Sequence, residues 1–260
     1  MGEWKESARL RYADTLGMRE IMKIVTWNCN GGLRNKLAPL GSISADLSII
    51  QECEDPGRVT KPTEEYQTFS ENYLWIGDNK NKGLGVFANK GFSLSEIPFN
   101  QSFGDGKLKW FLPFLFDGRI EMIASWAHRG DTGEFRYIGQ FYKLLLNNQK
   151  IIQDQIFIGD FNSNKQWDYK RSEGDHSSCV RILEDRGIYS VYHHIKKEEH
   201  GKEKQPTFFL QKKSEKPYHI DYAFSPMKHI AATKHFEIGD FSFWHQVSDH
   251  VPLVWEFEET

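Results

Sequence analysis

Five short segments of the chain are each predicted to be an apolar strand that ends in an acid, an amide or an imidazole. Strand ends are where an enzyme can hold polar side chains outside a sheet on a rigid base. The five segments are Ile24–Asn28, Ile49–Glu52, Ile156–Asn162, His219–Tyr222 and Val247–His250. Each has an ordinary explanation when taken alone, because Asp and Asn are common in turns and an acid at a strand end is often solvated. Their occurrence together predicts a single chemical site.

The residue types in these segments suit the hydrolysis of a phosphodiester. The transition state of that reaction carries more negative charge than the substrate, and a hard cation with oxygen ligands offsets the charge. A carboxylate flanked by an amide, as in Asp160 and Asn162, can orient and deprotonate the attacking water. An imidazole such as His250 can hydrogen-bond the phosphoryl oxygens, and a second carboxylate can hold that imidazole in position.

The same ordered segments resemble the endonuclease/exonuclease/phosphatase superfamily, which includes exonuclease III, the apurinic endonucleases and deoxyribonuclease I. The resemblance covers residues 22–257, and its most specific parts are Gly159-Asp160-Phe161-Asn162 and Ser248-Asp249-His250-Val251-Pro252-Leu253. It implies an α/β (α+β) fold, a four-layer sandwich of two mixed β-sheets flanked by helices. The active site would lie at one rim of the sheets.

The resemblance also implies a metal centre. Glu52 resembles the main metal ligand, and Asp249 resembles a further acid near the metal. Asp160 resembles the residue that activates or aligns the attacking water, Asn28 resembles the amide that orients this cluster, and both are also candidate ligands. The implied cofactor is Mg²⁺, for which Mn²⁺ can substitute.

The remaining catalytic candidates surround that centre. Asn162 stands beside Asp160, His250 resembles the imidazole that contacts the phosphate, and Asp221 resembles its partner carboxylate. His128 is a candidate for contacting the phosphate or protonating the leaving group. If the alignment shifts there, Trp126 takes that place instead.

The chain departs from the superfamily pattern at Asn30. Apurinic endonucleases often have Asp two residues after the first Asn, and here that position is Asn30. One negative charge is therefore missing, which bears on the affinity for a second metal ion.

The leading expectation for the substrate is nucleic acid, with DNA favoured over RNA, cleaved to leave a 3′-hydroxyl and a 5′-phosphate. Phe243 and Trp244 precede the Ser-Asp-His element and could either stack bases or belong to the core. Basic residues that could contact phosphates are Lys107, Lys109, Arg129, Lys212 and Lys213. Aromatic and basic residues are common in any protein, so they support this substrate only weakly.

Two other functions compete with a nuclease. A phosphatase or phospholipase of the same fold would act on inositol phosphates or sphingomyelin. The Asp-Arg signature of inositol phosphatases is absent, since Tyr222 follows Asp221, and no signal peptide is visible. A binding module with an inactive site is the third possibility, and the complete acidic set argues against it.

Local patterns predict the elements that position these residues. Short apolar runs predict strands at Lys23–Trp27, Leu47–Gln51, Tyr73–Ile76, Gly85–Ala88, Glu121–Trp126, Gln155–Ile158, Thr207–Leu210, Ile220–Phe224 and Val251–Phe257. An apolar stripe at helical spacing predicts a helix over Arg136–Asn148, and a second helix is expected over Ser178–Arg186 with Gly187 just after it. Part of Leu33–Ala45 should also be helical. The charged stretch Lys196–Lys204 reads as a solvated loop.

Composition bounds the remaining properties. The 260 residues fit one catalytic domain over 22–260, preceded by an extension of residues 1–21 whose pattern is uninformative. A net charge of −3 does not favour a protein that coats nucleic acid non-specifically. Three cysteines without CxxC spacing predict reduced, buried thiols in a cytoplasmic protein. No apolar run is long enough to predict a membrane span, and a monomer is the default expectation.

Overall fold

The computed structural model describes residues 21–103, 106–129, 136–169 and 173–259. Apart from Ile21, the expected extension over residues 1–21 lies outside the described residues. Sixteen strands are present in these ranges: β1 Ile21–Asn28, β2 Leu47–Cys53, β3 Tyr73–Asn79, β4 Lys82–Ala88, β5 Leu94–Glu96, β6 Ser102–Phe103, β7 Gly106–Lys107, β8 Phe111–Phe116, β9 Ile120–Trp126, β10 Ile156–Asp160, β11 Ile188–Ser190, β12 Phe208–Phe209, β13 Pro217–Tyr218, β14 Asp221–Pro226, β15 Thr233–Ile238 and β16 Leu253–Glu258.

Seven α-helices are present in the same ranges: α1 Leu37–Gly41, α2 Glu64–Phe69, α3 Ile138–Asn147, α4 His176–Glu184, α5 Val191–Lys196, α6 Met227–Ala231 and α7 Phe241–Trp244. None of these is long and apolar enough to cross a membrane. Short 3₁₀ turns lie at Leu33–Asn35, Pro56–Arg58, Lys165–Trp167 and Leu210–Lys212.

Twelve of the strands form two six-stranded mixed sheets. The first has the order β15-β16-β1-β2-β4-β3, and the second has the order β11-β14-β10-β9-β8-β5. Apolar residues from the facing surfaces of both sheets form one core, to which β1 contributes Ile24 and β10 contributes Ile156 and Ile158. The two sheets therefore pack face to face.

Helices cover the outer face of each sheet. On the first sheet, Leu37 and Leu40 of α1 pack against Val25 and Trp27 of β1. On the second sheet, α3 and α4 pack against β10 and β14 through a second apolar cluster that includes Phe141, Leu183, Phe157 and Phe224. Two sheets with helices on both outer faces confirm the predicted four-layer sandwich. The central strands are apolar on both faces because both faces are buried.

The predicted helices are found with small changes of boundary. The helix predicted over Arg136–Asn148 is α3, and the one predicted over Ser178–Arg186 is α4, which begins two residues earlier. Gly187 follows α4 with φ 73°, the left-handed conformation that favours glycine after a helix. The expectation that part of Leu33–Ala45 is helical is confirmed by the short helix α1, which a 3₁₀ turn precedes.

Strand β8 had no counterpart in the sequence prediction. Its sequence contains Pro113, which lacks an N–H and argues against a central strand. The structure accommodates the proline because β5, the neighbour on one side, is three residues long and pairs only with residues 114–116. On its other side, Pro113 lies opposite Ile123 in β9.

The expectation that every site segment ends a strand is wrong for two of the five. Asn28 and Asp160 end β1 and β10, but Asp221 is the first residue of β14. Strand β14 runs antiparallel to β10, so the first residue of β14 lies beside Asp160, the last residue of β10. His250 likewise precedes β16, which runs antiparallel to β1. The reversal of direction brings strand starts and strand ends to the same rim.

The stretch Lys196–Lys204 is not the solvated loop that its charge suggested. Lys202 and Lys204 are exposed, but the side chain of Glu203 is only 4% exposed and bonds to His193. His200 stacks on His193 with ring centroids 3.5 Å apart. The segment therefore folds back over the second sheet with two of its side chains turned inward.

Candidate active site

The end of β10 approaches its neighbour β9 closely. Gly159 has φ 144°, and a Cβ at this position would lie 1.9 Å from the carbonyl oxygen of Ser125. Only glycine fits there, because any side chain would clash with the backbone of β9. The residue type of Gly159 thus fixes where the next residue, Asp160, leaves the sheet.

Asp160 is fully buried and accepts three hydrogen bonds. Its Oδ2 accepts from Asn28 Nδ2 at 3.0 Å and from Asn162 Nδ2 at 3.0 Å. Its Oδ1 accepts from the backbone N–H of Asn162 at 2.8 Å. Asn162 has φ 46°, a left-handed conformation that Asn adopts more readily than most residues. The turn after β10 thereby aims both amides at the carboxylate.

An acid–imidazole pair lies beside Asp160. His250 Nδ1 is 2.9 Å from Asp221 Oδ2, and His250 Nε2 is 3.9 Å from Asp160 Oδ2. All three residues are buried. The imidazole therefore has one carboxylate at each nitrogen.

Burial and mutual charge set the protonation of this cluster. Desolvation, followed by the negative charge of Asp221, raises the pKa of Asp160 to about 7. Burial alone would lower the pKa of His250, but the charge and hydrogen bond of Asp221 and the charge of Asp160 raise it to about 9. Near neutral pH the cluster holds an imidazolium beside a carboxyl group that is ready to exchange a proton.

Three further residues hold the cluster in place and were not predicted as site residues. Thr207 Oγ1 accepts hydrogen bonds from the backbone N–H groups of Ile220 and Asp221, each at 3.0 Å. Ser248 Oγ donates to the carbonyl of Asn28 at 2.7 Å. Trp27 Nε1 donates to the carbonyl of His250 at 3.1 Å. Trp27 and Ser248 lie inside the recognised segments, whereas no pattern in the sequence singles out Thr207.

Glu52 lies at an irregularity in β2. The register with β4 shifts between Gln51 and Cys53, and Glu52 has φ 63°. A non-glycine residue held in this region is often part of a functional site. The bulge takes Glu52 out of the ladder, and its carboxylate pairs with Lys82 Nζ at 2.8 Å. Lys82 also lies 5.9 Å from the ring centre of Trp126.

Lys36 links Glu52 electrostatically to Asp249. Burial is the largest effect and lowers the pKa of Lys36, the positive charge of Lys212 acts in the same direction, and the negative charges of Asp249 and Glu52 oppose the shift. These two candidate metal ligands therefore lie within electrostatic range of one ammonium group. Lys36 Nζ also donates to the carbonyl of Cys29.

His128 occupies a different environment from His250. It follows β9 by two residues, and its ring packs against Trp126 with centroids 4.8 Å apart and against Trp110 at 6.4 Å. Its Nδ1 lies 3.2 Å from the carbonyl of Arg129. These contacts leave its proposed catalytic role a prediction. Trp126, the alternative, is buried, and its indole N–H has no hydrogen-bond partner among the residues that the structure describes.

The aromatic and basic candidates separate by environment. Trp244 belongs to the core and packs edge-on against Trp27 at 5.1 Å, whereas Phe243 is 52% exposed. Phe208, which had not been considered, lies 4.6 Å from His250 ring to ring.

Among the basic candidates, Lys109 pairs with Asp78 at 2.7 Å. Lys212, also one of the basic candidates, acts electrostatically on Lys36, and Lys36 and Lys82 are positive groups near the site that the sequence analysis had not named.

The donor set fits a hard divalent cation. The side chains at this rim offer carboxylate and amide oxygens, which Mg²⁺ and Mn²⁺ prefer. Within the described part of the chain, Asp221 Oδ1 is buried without a hydrogen-bond partner, and the carboxylate of Glu52 already pairs with a positive charge. The carboxylate of Asp160, a candidate ligand, lies within 4.8 Å of polar atoms of Asp221 and His250, so the acid–imidazole pair stands beside the candidate metal site. The free and buried state of Cys29, Cys53 and Cys179 agrees with the expected thiols.

Comparison with known proteins gives structural matches only. No protein-family model and no curated protein matches the chain. Among solved structures it is similar to an AP endonuclease from Archaeoglobus fulgidus, with TM-score 0.65, 19% identity, 92% of this chain and 100% of that one covered. It is also similar to a 3′-5′ exonuclease from Neisseria meningitidis, with TM-score 0.61, 17% identity and coverage of 92% and 100%.

A third similar structure is the endonuclease domain of TRAS1, a telomere-specific non-LTR retrotransposon, with TM-score 0.60, 14% identity and coverage of 92% and 99%. All three neighbours belong to one superfamily. This chain therefore has the fold of the endonuclease/exonuclease/phosphatase superfamily.

Proposed function

We propose that this protein is a Mg²⁺-dependent phosphodiesterase that hydrolyses nucleic-acid backbones, DNA more readily than RNA, and leaves a 3′-hydroxyl and a 5′-phosphate. One observation carries the proposal: the buried network in which Asp160 is held by Asn28 and Asn162 and faces the His250–Asp221 pair. A structural role alone does not require two buried carboxylates and an imidazole so close together, because burying charge costs free energy.

In the proposed reaction Asp160 accepts the proton of the attacking water. Its pKa of about 7 suits a general base near neutral pH. Asn28 and Asn162 hold the carboxylate in one orientation through the bonds they donate. His250, kept protonated by Asp221, donates a hydrogen bond to the phosphoryl oxygens as their negative charge grows.

We assign the cation to Glu52, with Asp249, Asn28 and Asp160 as further ligands. When bound, Mg²⁺ or Mn²⁺ would offset the charge that develops on the phosphate. Lys36 and Lys82 lie close enough to the acids to attract the substrate phosphate and to lower the mutual repulsion of the carboxylates. The proposal also includes His128, which would contact the phosphate or protonate the leaving group, but it does not depend on this residue.

The choice of nucleic acid rests on the neighbours and on the surface beside the site. The similar structures are named for nucleases, and one is described as a 3′ phosphatase bound to a product DNA hairpin. The ring of Phe208 lies 4.6 Å from that of His250, and the ring of Tyr218 lies 6.2 Å from Phe208. Aromatic faces of this kind can support an unpaired base. The buried free thiols fit a reducing, cytoplasmic setting.

The phosphatase alternative has one specific observation in its favour. The same neighbour that binds a DNA hairpin is named for the removal of a 3′ phosphate. The shared chemistry is attack of water on a phosphate ester, so the same residues would serve a phosphodiester or a terminal phosphomonoester. Substrate tests therefore need to include both.

The proposal is tested with a substrate panel in the presence of Mg²⁺, Mn²⁺ or EDTA. The panel contains supercoiled plasmid, single-stranded DNA, abasic duplex, RNA, DNA with a 3′-phosphate, and a phosphoinositide. We expect metal-dependent cleavage of at least one DNA substrate and none in EDTA. Release of the 3′-phosphate without strand cleavage, or cleavage of the phosphoinositide alone, would favour the phosphatase alternative, and cleavage that persists in EDTA would contradict the metal assignment.

A further inference from the structure

A second cluster of titratable side chains lies away from the candidate active site. His193 of α5 and His200 and Glu203 of the following segment place their ligand atoms within 4.8 Å of one another. His176, the first residue of α4, joins them through its Nε2, which lies 3.1 Å from His200 Nδ1. We propose that His193, His200 and Glu203 form a binding site for a transition-metal ion such as Zn²⁺, separate from the Mg²⁺ site.

The first argument is the pairing of donor atoms. His193 Nε2 lies 3.0 Å from Glu203 Oε1, and a proton shared between them holds the pair together. An ion bonded at about 2.0–2.2 Å to a nitrogen and an oxygen keeps them only slightly farther apart in tetrahedral geometry. Replacing that proton by an ion therefore asks for little movement at these two ligands.

The second argument is the outer contacts that orient the ligands. His193 Nδ1 lies 2.7 Å from Ser190 Oγ, and His200 Nδ1 bonds to His176 Nε2. These bonds leave His193 Nε2 and His200 Nε2 as the nitrogens that would bind the ion. Metal-ligating histidines commonly use their second ring nitrogen in this way, which fixes both tautomer and orientation.

Glu203 is oriented in the same manner. Its Oε2 accepts from Asn164 Nδ2 at 3.0 Å, and its Oε1 accepts from the backbone N–H of Gly201 at 2.9 Å. These bonds anchor the carboxylate before an ion arrives, so its orientation needs little adjustment on binding.

The third argument is the polar atoms left over around the cluster. Among the described residues, His176 Nδ1 is buried without a hydrogen-bond partner, as is Nε2 of His219, whose ring lies 6.0 Å from that of His193. Buried polar atoms usually have a partner, so their absence here is consistent with a site that an ion or an ordered water completes.

The fourth argument is access. A cavity of about 470 Å³ is lined by His176, His193 and His200 and opens to solvent. It gives an ion an entry path and room for a water as a further ligand. His193 and His200 now stack with their planes 17° apart, so convergence on one ion requires the His200 ring to tilt, and the cavity beside it provides the space.

The donor set distinguishes this site from the active site. Two imidazole nitrogens and one carboxylate suit Zn²⁺, Co²⁺, Ni²⁺ or Cu²⁺, whereas Mg²⁺ prefers oxygen ligands and retains water. An ion here would tie the segment over Lys197–Lys204 to α5. Glu203 accepts a hydrogen bond from Asn164, which lies four residues after Asp160. The ion would therefore also stabilise the turn that follows Asp160.

The test uses the full chain, stripped with a chelator and then supplied with excess Mg²⁺ to occupy oxygen-rich sites. Co²⁺ is titrated in, and its visible absorption reports binding in a low-symmetry site with nitrogen ligands. We expect one Co²⁺ per chain, displaced by Zn²⁺ but not by Mg²⁺. Zn²⁺ should also raise the melting temperature by several degrees, because it binds the folded state preferentially.

Variants assign the signal to the cluster. His193→Ala, His200→Ala and Glu203→Gln should each lower Co²⁺ affinity at least tenfold and reduce the Zn²⁺-dependent rise in melting temperature. His250→Ala removes the active-site imidazole and should leave both signals intact. The matched control is His235→Ala, since His235 also pairs with a glutamate, Glu237 at 3.1 Å, but on the exposed surface.

Two results would overturn the proposal. One is the failure of the unmodified chain to bind Co²⁺ or Zn²⁺ in excess Mg²⁺. This result would hold even if none of the variants folded. The other is binding that survives unchanged in His193→Ala and Glu203→Gln. Neither result depends on whether the protein cleaves nucleic acid.

Discussion

Two buried clusters in this protein place histidine next to carboxylate, yet the imidazole is charged in one cluster and neutral in the other. In the Asp160–Asp221–His250 cluster, two carboxylates flank one imidazole, and the pKa of His250 rises to about 9. In the His176–His193–His200–Glu203 cluster, three imidazoles share one carboxylate, and the pKa values of His176 and His200 fall to about 3 and 2. Burial penalises charge in both places.

The difference between the clusters lies in the ratio of acids to imidazoles. At His250 the combined effects of Asp221 and Asp160 outweigh desolvation, whereas at His200 the neighbouring imidazoles lower the pKa in the same direction as desolvation. The first arrangement produces a buried imidazolium that can hydrogen-bond a phosphate. The second produces neutral imidazole nitrogens that can coordinate a metal ion.

The largest expected effect comes from removing the proposed base without changing its shape. Asp160→Asn should lower the turnover of Mg²⁺-dependent cleavage by about 10²–10⁴-fold, the range that general bases contribute. The measurement is kcat on the best substrate of the panel, with circular dichroism as the folding control. Near-normal turnover in a folded variant would show that Asp160 is not the base.

The next largest effect concerns the buried cation. His250→Ala removes the donor aimed at the phosphoryl oxygens and should lower kcat by about 10²–10³-fold. Because the bond strengthens as charge develops on the phosphate, the loss should fall on kcat more than on KM. A change confined to KM would assign His250 to substrate binding instead.

A smaller effect tests whether Asp221 sets the charge of His250. Asp221→Asn keeps a side chain of the same size but removes the negative charge that raises the pKa of His250 to about 9. The imidazolium should then be lost at lower pH, so the alkaline limb of the kcat–pH profile should move toward neutral pH. An alkaline limb that stays in place would separate the activity from the charge of His250.

The smallest effect concerns stability in the second cluster. In the folded chain the pKa of His200 is about 2, whereas in the unfolded chain it returns to about 6.5. Below pH 6.5 His200 takes up a proton in the unfolded state but not in the folded state. The free energy of unfolding is therefore highest above pH 6.5 and decreases as the pH falls. In EDTA, each such histidine contributes a slope of up to about 1.4 kcal/mol per pH unit.

His200→Gln cannot take up that proton and should show a shallower decline between pH 6 and 4. The measurement is urea unfolding across this range, with the exposed His235→Gln as the control. His250 has the opposite sign, because its raised pKa gives stability that is present below 6.5 and is lost as pH rises through about 9. Parallel slopes in His200→Gln and the unmodified chain would contradict the neutral state assigned to His200.

The fold and much of the first cluster could be predicted because both depend on patterns that are visible in the order of residues along the chain. Buried strands are apolar runs, and Asn28, Asp160, Asp221 and His250 adjoin them, so a shared rim brings them together. The direction of β14 was not visible in that pattern. Asp221 meets Asp160 at the start of an antiparallel strand, a relation that only the sheet topology supplies.

The second cluster was missed for a physical reason. Glu203 and His200 lie in a stretch dense in lysine and glutamate, and such composition normally marks a solvated surface. Tertiary packing overrode it, since two inward side chains suffice to bury part of a charged segment. Thr207 and Lys82 were missed because their roles depend on partners distant in the chain, the backbone of Asp221 and the carboxylate of Glu52.

The most direct test of the central claim is the Mg²⁺-dependent cleavage of DNA by Glu52→Gln. Glu256→Gln is the matched control, because Glu256 also pairs with a lysine, Lys23 at 3.0 Å, on a strand of the same sheet. We predict that Glu52→Gln folds normally and loses metal-dependent cleavage, while Glu256→Gln retains it. Full activity of Glu52→Gln at low Mg²⁺ concentration would contradict the account.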